Sequence, residues 1–280
     1  MEKKQRNLNA AAKAKKDEFY TQLTDIEKEM RYYRKHFRGK TILCNCDDPF
    51  ESNFFKYFVL NFNRLGLTKL IATCYSTSPI MGSQLHYHFD EHGQMSFSFG
   101  DTSRDDGVKH PYKAVVKQVY DKTGDGGVDM LDVVELFKSG ENELSELSGD
   151  GDFRSPECLS LLDEADIVVT NPPFSLFREY ISTLMEHRKS FIIIGNVNAI
   201  TYKEFFPLLK ENKVWIGASI HSGDRKFYVP DDYPLSAAGC GIDEEGRRFI
   251  RVKGVRWYTN LDIKQRHEEL ILVKKYTSNE

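Results

Sequence analysis

Ile167-Val168-Val169-Thr170-Asn171-Pro172-Pro173-Phe174 is a short apolar run followed at once by a polar amide, two prolines and an aromatic ring. The β-branched run reads as a buried strand, and residues 176–187 beyond it have helical spacing. A strand leading directly into a helix is the unit of an α/β sheet, whose ligands gather outside the carboxyl ends of the strands. The loop 171–174 is therefore placed where chemistry can be carried. Its prolines fix φ and restrict the residue before each, so the Asn171 side chain and the Pro172 carbonyl can face one point. Proline has no N–H to donate. The loop thus offers acceptors, which suit a planar ring bearing an amino group better than a carboxylate or phosphate. On four residues alone an ordinary strand-ending turn fits equally well, and the surrounding chain has to decide.

Working outward, residues 41–46 read as a strand, 50–65 as an aromatic-rich helix ended by Gly66, and 69–75 as a second strand. Such a βαβ unit needs a right-handed crossover and implies a parallel sheet. Ahead of it, residues 17–37 have helical stretches with Ile26, Met30 and Tyr33 on one face. Residues 155–165 read as a helix, 191–195 as a strand, and 201–210 as a helix whose last turns Pro207 puts in doubt. Strand candidates at 214–218, 226–229 and 251–258 have little helix between them, so the sheet should finish in an antiparallel portion. Residues 76–148 break the rhythm with Ser, Gly, His and Asp clusters and a hairpin pattern across 114–120 and Gly124-Asp125-Gly126-Gly127. A short amphipathic piece follows near 133–137. This stretch reads as a surface insertion. The expected organisation is a basic, flexible tail over 1–16 and one domain over 17–280, with the insertion at about 76–148.

The composition, 40% hydrophobic and 29% charged, is that of an ordinary globular protein. No apolar run approaches a bilayer span, and MEKKQRNLNA lacks the apolar core of a signal peptide, which points to a cytoplasmic protein with no membrane partner. Cys44, Cys46, Cys74, Cys158 and Cys240 form no Cys-x-x-Cys pair, so they favour neither a disulfide framework nor zinc. Cys44 and Cys46 should lie on one side of a strand as small apolar residues. His86, His88 and His92 lack a completing carboxylate or cysteine at ligand spacing, and no metal is expected. The net charge of −3 hides an uneven distribution. Residues 1–40 are basic around Tyr32, Tyr33 and Phe37, whereas 121–166 is acidic, so one face can meet a polyanion while another cannot. A solvated amphipathic helix explains the basic stretch as well.

Several blocks taken in order resemble the EcoRI-type adenine-specific DNA methyltransferases. They are Asp17-Glu18-Phe19-Tyr20-Thr21-Gln22, Cys44-Asn45-Cys46-Asp47-Asp48-Pro49, Ser52 to Phe58, Gly149 to Ser155, Ile167 to Tyr180, Ile200 to Glu204 and Trp257 to Asp262. The resemblance implies a Rossmann-like S-adenosylmethionine-dependent methyltransferase fold, mostly parallel with an antiparallel C-terminal portion. It also implies site-specific transfer of a methyl group from S-adenosylmethionine to the exocyclic amine of a flipped adenine in double-stranded DNA. Asn171, Pro172 and Phe174 would be catalytic, the first two accepting from the amine and Phe174 stacking on the base. Phe19, Tyr20, Thr21, Asp47, Asp48, Pro49, Asp152, Phe153 and Asn171 would bind the cofactor. A cognate restriction endonuclease encoded nearby and a monomeric enzyme both agree with such a family.

The chain departs from the pattern at four points. Phe50-Glu51-Ser52-Asn53 replaces the glycine-rich turn of many methyltransferases, and Cys74-Tyr75 offers no acidic residue for the cofactor ribose. Residues 76–148 match poorly and the chain stops soon after Tyr276, so the family's recognition sequence is not carried over. Competing readings are an RNA-adenine or protein-glutamine methyltransferase, since Asn-Pro-Pro-aromatic loops serve any planar amine, and a non-catalytic DNA-binding protein that keeps the fold.

Overall fold

The computed structural model describes residues 20–46, 49, 52–73, 111–229, 235 and 239–269, and the backbone of 85–89 and 95–99. The expected tail and Phe19, Asp47 and Asp48 lie outside the described residues. In chain order the strands are β1 (Thr41–Asn45), β2 (Lys69–Thr73), β3 (Leu85–Phe89), β4 (Met95–Phe99), β5 (Tyr112–Val116), β6 (Glu143–Glu146) and β7 (Ile167–Thr170). They continue with β8 (Ser190–Asn196), β9 (Trp215–Ile216), β10 (Asp224–Tyr228), β11 (Gly241–Ile242), β12 (Arg248–Lys253) and β13 (Val255–Thr259). The α-helices are α1 (Leu23–Met30), α2 (Arg34–Phe37), α3 (Asn53–Leu60), α4 (Phe62–Leu65), α5 (Met130–Lys138), α6 (Pro156–Glu164), α7 (Phe177–Glu186) and α8 (Phe206–Lys210).

Eight strands form one sheet in the order β6-β5-β2-β1-β7-β8-β13-β9. The four inner strands β2, β1, β7 and β8 are parallel. Antiparallel pairs close both flanks, β5 and β6 on one side, β13 and β9 on the other. This is the Rossmann-like arrangement expected. The chain runs outward from β1 to β2 in one direction and from β7 to β8 in the other, so the strand order reverses between β1 and β7. That junction is where such sheets open a crevice for ligands.

Strand alternation sorts the core into two layers. Ile42, Leu70, Ala72, Ile167, Val169, Ile192 and Ile194 pack on the face covered by α1 to α5, with Ile26, Met30, Phe58 and Val133 opposite them. Leu43, Ile71, Val168, Phe191 and Ile193 pack on the other face, under Leu162 of α6 and Ile181 and Leu184 of α7. Both faces are covered, so the inner strands read as unbroken apolar runs rather than as alternations.

Several elements differ from expectation. The described part of the apparent insertion, 111–148, belongs to the core: Tyr112, Ala114, Val116, Val133 and Val134 are fully buried. No hairpin spans 114–120; β5 pairs instead with β6, Tyr112 opposite Glu146, and α5 lies between them in sequence. The expected strand 251–258 breaks at Gly254, whose φ of 72° and close approach to Val197 leave no room for a Cβ. The break sends β12 and β13 into different sheets, so β10, expected in the main sheet, joins a separate antiparallel sheet β10-β12-β11. Of the helix expected over 201–210 only α8 forms, and Pro207 sits in its first turn, where a missing N–H costs nothing. Cys44 and Cys46 do not share a face. Cys44 packs in the first layer, whereas Cys46 turns with φ 83° beyond the end of β1 and packs against the second.

Candidate active site

The reversal point is held by three side chains. Thr170, the last residue of β7, donates its hydroxyl to the backbone carbonyl of Asn45, the last residue of β1. Tyr180, from α7, donates its phenol to the Asn45 side-chain oxygen Oδ1. Tyr180 is fully enclosed; desolvation pushes its phenol well above the ordinary value, so it keeps its proton and serves as a donor. The Phe153 ring packs edge-on against it, centroids 5.0 Å apart. Asn45 thus ties together the ends of β1 and β7 and α7, and the loop before α6 joins through Phe153 on the Tyr180 ring. The block containing it was visible in the sequence, but a buried amide at a strand end gave no sign of which partners it serves.

The loop 171–174 leaves β7 at this junction. Asn171 and Pro172 are buried, Pro173 and Phe174 half-buried. The Asn171 side-chain oxygen is enclosed and accepts no hydrogen bond among the described residues, while the residue is held by other contacts. Pro173 offers its carbonyl to the Leu176 N–H at 3.0 Å, which starts the 3-10 turn Phe174–Leu176 and delivers the chain into α7. Phe174 packs against the first core layer, the face of α1 to α5.

The amino-terminal segment reaches β10 and the start of α3, the helix that follows β1. Tyr20 exchanges backbone hydrogen bonds of 2.9 and 3.2 Å with Tyr228 of β10. The Asn53 amide, at the start of α3, donates to the Thr21 carbonyl at 2.7 Å. Ser52 caps α3 by accepting from the Phe54 N–H, and Pro49 is buried in the loop between. Thr21 is 3% exposed, and among the described residues its hydroxyl makes no hydrogen bond. A buried hydroxyl in that state calls for a partner, and its backbone is held to the start of α3.

Asp152 is committed locally. Its carboxylate accepts from the Arg154 N–H and Nε, each at 2.9 Å, and pairs with the same guanidinium at 2.7 Å; Arg154 also reaches Glu179 on α7 at 2.6 Å. It does not cap α6, because Ser155 does so by accepting from the Cys158 N–H. Phe153, 8% exposed, belongs to the second core layer. The structure therefore ties Tyr20 to β10 and Thr21 to the start of α3, and places Asn171, Pro172 and Phe174 on the loop that leaves β7 at the junction. Phe153 enters through Tyr180.

Glu29 is a second residue without a sequence signal. Fully buried in α1, its carboxylate accepts from the Tyr33 phenol at 2.7 Å and from the Ala218 and Ser219 N–H groups at 2.8 and 2.7 Å. It fastens the amino-terminal helix to the chain leaving β9.

Among the described residues no cluster of His, Cys, Asp and Glu could hold a metal ion, and no helix is long and apolar enough to cross a membrane. The side chains of His86, His88 and His92 lie outside the described residues.

A family model described as the adenine-specific methyltransferase EcoRI matches residues 7–280. The type II methyltransferase M.EcoRI of Escherichia coli is 43% identical over 98% of this chain and 74% of its own length. M.MpnI of Mycoplasma pneumoniae is 32% identical over 98% of the chain and 70% of its own, and M.MgeORF184P of Mycoplasma genitalium is 34% identical over 91% and 65%. No solved structure matches. Taken with the reversal point and its Asn-Pro-Pro-Phe loop, these matches establish that the chain belongs to the EcoRI family of adenine-specific DNA methyltransferases.

Proposed function

We propose that this chain moves a methyl group from S-adenosylmethionine to the N6 amine of an adenine flipped out of double-stranded DNA, with the loop 171–174 holding the base. The observation that carries the reading is the placement of that loop: it leaves β7 where the strand order reverses, with Asn171 buried beside the end of β1. When bound, S-adenosylmethionine supplies a methyl group on a cationic sulfur, which departs as a neutral thioether. Thr21 and Pro49, with Asp47 and Asp48 before it in sequence, would hold it; the buried Thr21 hydroxyl, without a hydrogen bond among the described residues, fits such a polar ligand. Asp152 takes part only if it shares a carboxylate that Arg154 already engages, whereas Phe153 would act through packing.

The adenine amine is a weak nucleophile because its lone pair is delocalised into the ring. The Asn171 side-chain oxygen and the Pro172 carbonyl would accept its two N–H groups and turn the nitrogen toward tetrahedral geometry, which localises the lone pair for attack. As the new C–N bond forms the amine gives up one proton, and water can take it. Phe174 would stack on the flipped base, and such stacking contributes about 1–3 kcal/mol, comparable with the cost of unstacking. Incubation with labelled S-adenosylmethionine and unmethylated plasmid DNA should label the DNA, and the label should appear as N6-methyladenine at one recurrent sequence. A protein that binds the methyl donor yet labels no DNA of any sequence sinks the reading.

A further inference from the structure

The three-stranded sheet β10-β12-β11 has two unlike faces. Register places Phe227 opposite Ile250, both buried in the first core layer, so this face is the inner one. The outer face then carries Asp224, Lys226 and Tyr228 from β10, opposite Lys253, Arg251 and Phe249 from β12. Cations and rings interleave there. Lys226 Nζ stands 4.9 Å from the Tyr228 centroid and 4.4 Å from that of Phe249, and the Arg251 guanidinium lies 5.9 Å from Phe249. Arg247, from the turn before β12, covers Tyr228 at 4.4 Å.

These charges are not equivalent. Asp243, mostly buried, pairs with Lys226 at 3.2 Å and Arg247 at 3.0 Å, fixing both over the rings. Arg251 and Lys253 are exposed, and among the described residues neither has an ion-pair partner. Of the strand residues on this face only Asp224 is acidic. The sheet also stands on the ligand side of the molecule. Tyr228 pairs with Tyr20 of the proposed donor segment, and Lys253 accepts from the Asn196 amide at the carboxyl end of β8 at 2.9 Å.

Resting on the proposed reaction, we infer that the outer face of β10-β12-β11 is a DNA-contacting surface, with Arg251 and Lys253 on backbone phosphates and the Lys226–Tyr228–Phe249 cluster forming its floor. Exposed cations without an ion-pair partner among the described residues, Arg251 over the Phe249 ring and Lys253 one register position further along the strand face, suit a polyanion, because released counterions drive such contacts without base recognition. Arg251, braced on the Phe249 ring, loses less side-chain entropy on binding than an unsupported chain.

The test compares the wild type with Arg251→Ala/Lys253→Ala by fluorescence anisotropy on a labelled unmethylated duplex over a salt series, and by methylation of unmethylated plasmid DNA. The double variant should bind roughly tenfold more weakly at moderate salt, with a log–log salt slope shallower by about 2, one unit for each lost phosphate contact. KM for DNA should rise in step while kcat at saturating DNA stays within about twofold and the melting temperature is unchanged. Unaltered affinity and slope would overturn the inference, as would a wild type that binds no duplex. Failure to methylate sinks the proposed reaction alone, since anisotropy reads this face without turnover.

Discussion

The two strands that meet at the reversal point end by different means. β7 ends in Pro172 and Pro173, whose rings fix the backbone covalently whatever their neighbours do. β1 ends in Asn45 and Cys46, and its order is borrowed: from the Thr170 hydroxyl, from the Tyr180 phenol, and from Asn53, which ties the amino-terminal segment alongside. A loop that aims two acceptors at one amine, as proposed for 171–174, gains from stiffness of its own. A cleft that admits and releases a large donor, as proposed for the end of β1, can instead be assembled from hydrogen bonds. Injury to the end of β7 should therefore strike the chemical step, whereas injury to the end of β1 should strike stability and donor affinity.

The sharpest break in that comparison is Asn171→Ala. On the proposed reaction, removing an acceptor of the target amine should slow single-turnover methylation about 100-fold, on the scale of 2.7 kcal/mol of transition-state stabilisation. Donor affinity and melting temperature should hold. A variant that melted early and lost the donor as well would make the loop a structural turn. Asn45→Ala should do the reverse. It removes the amide acceptor of the buried Tyr180 phenol, leaving the Cys46 thiol beside it, and loosens α7 from β1, costing about 2 kcal/mol by chemical denaturation and raising KM for S-adenosylmethionine severalfold. The single-turnover rate at saturating donor should change far less than in Asn171→Ala.

The same contrast explains what could be read from the sequence. The end of β7 was legible because its stiffness is written in consecutive residues, Thr170-Asn171-Pro172-Pro173, and the inner strands because both of their faces are buried. The end of β1 was legible only as a block. Asn45 acts through Thr170 and Tyr180, each more than 100 residues away, and no local pattern encodes such partners. β5 and β6 were missed for a related reason. Glu143-Leu144-Ser145-Glu146 is an outer strand with little apolar content, and its pairing with β5 spans a helix rather than a turn. Gly254 reads as an ordinary strand glycine until β12 and β13 are seen in separate sheets.

Two smaller effects refine the account of β1. Tyr180→Phe keeps the ring against Phe153 and removes only the donor, so it should cost about 1 kcal/mol. Combined with Asn45→Ala, the two losses should fall short of their sum by a similar amount, because both delete one hydrogen bond. Strict additivity in denaturant melts would mean that the phenol and the amide act separately.

Cys46 gives the smallest expected change and the one whose sign is informative. Its φ of 83° lies where a side chain costs about 1 kcal/mol and glycine costs none. The thiol is half-buried against the second core layer, so Cys46→Gly trades relieved strain against lost packing and a freer unfolded chain. The terms nearly cancel, and stability should change by less than about 0.5 kcal/mol. Donor affinity should be untouched if the turn serves only to swing the chain from β1 toward Pro49. A glycine variant that is equally stable but binds S-adenosylmethionine tenfold more weakly would instead mean that the strain is kept to hold the thiol toward the donor, a reading that Cys46→Ala, with the same backbone demand and no sulfur, would then separate from backbone freedom.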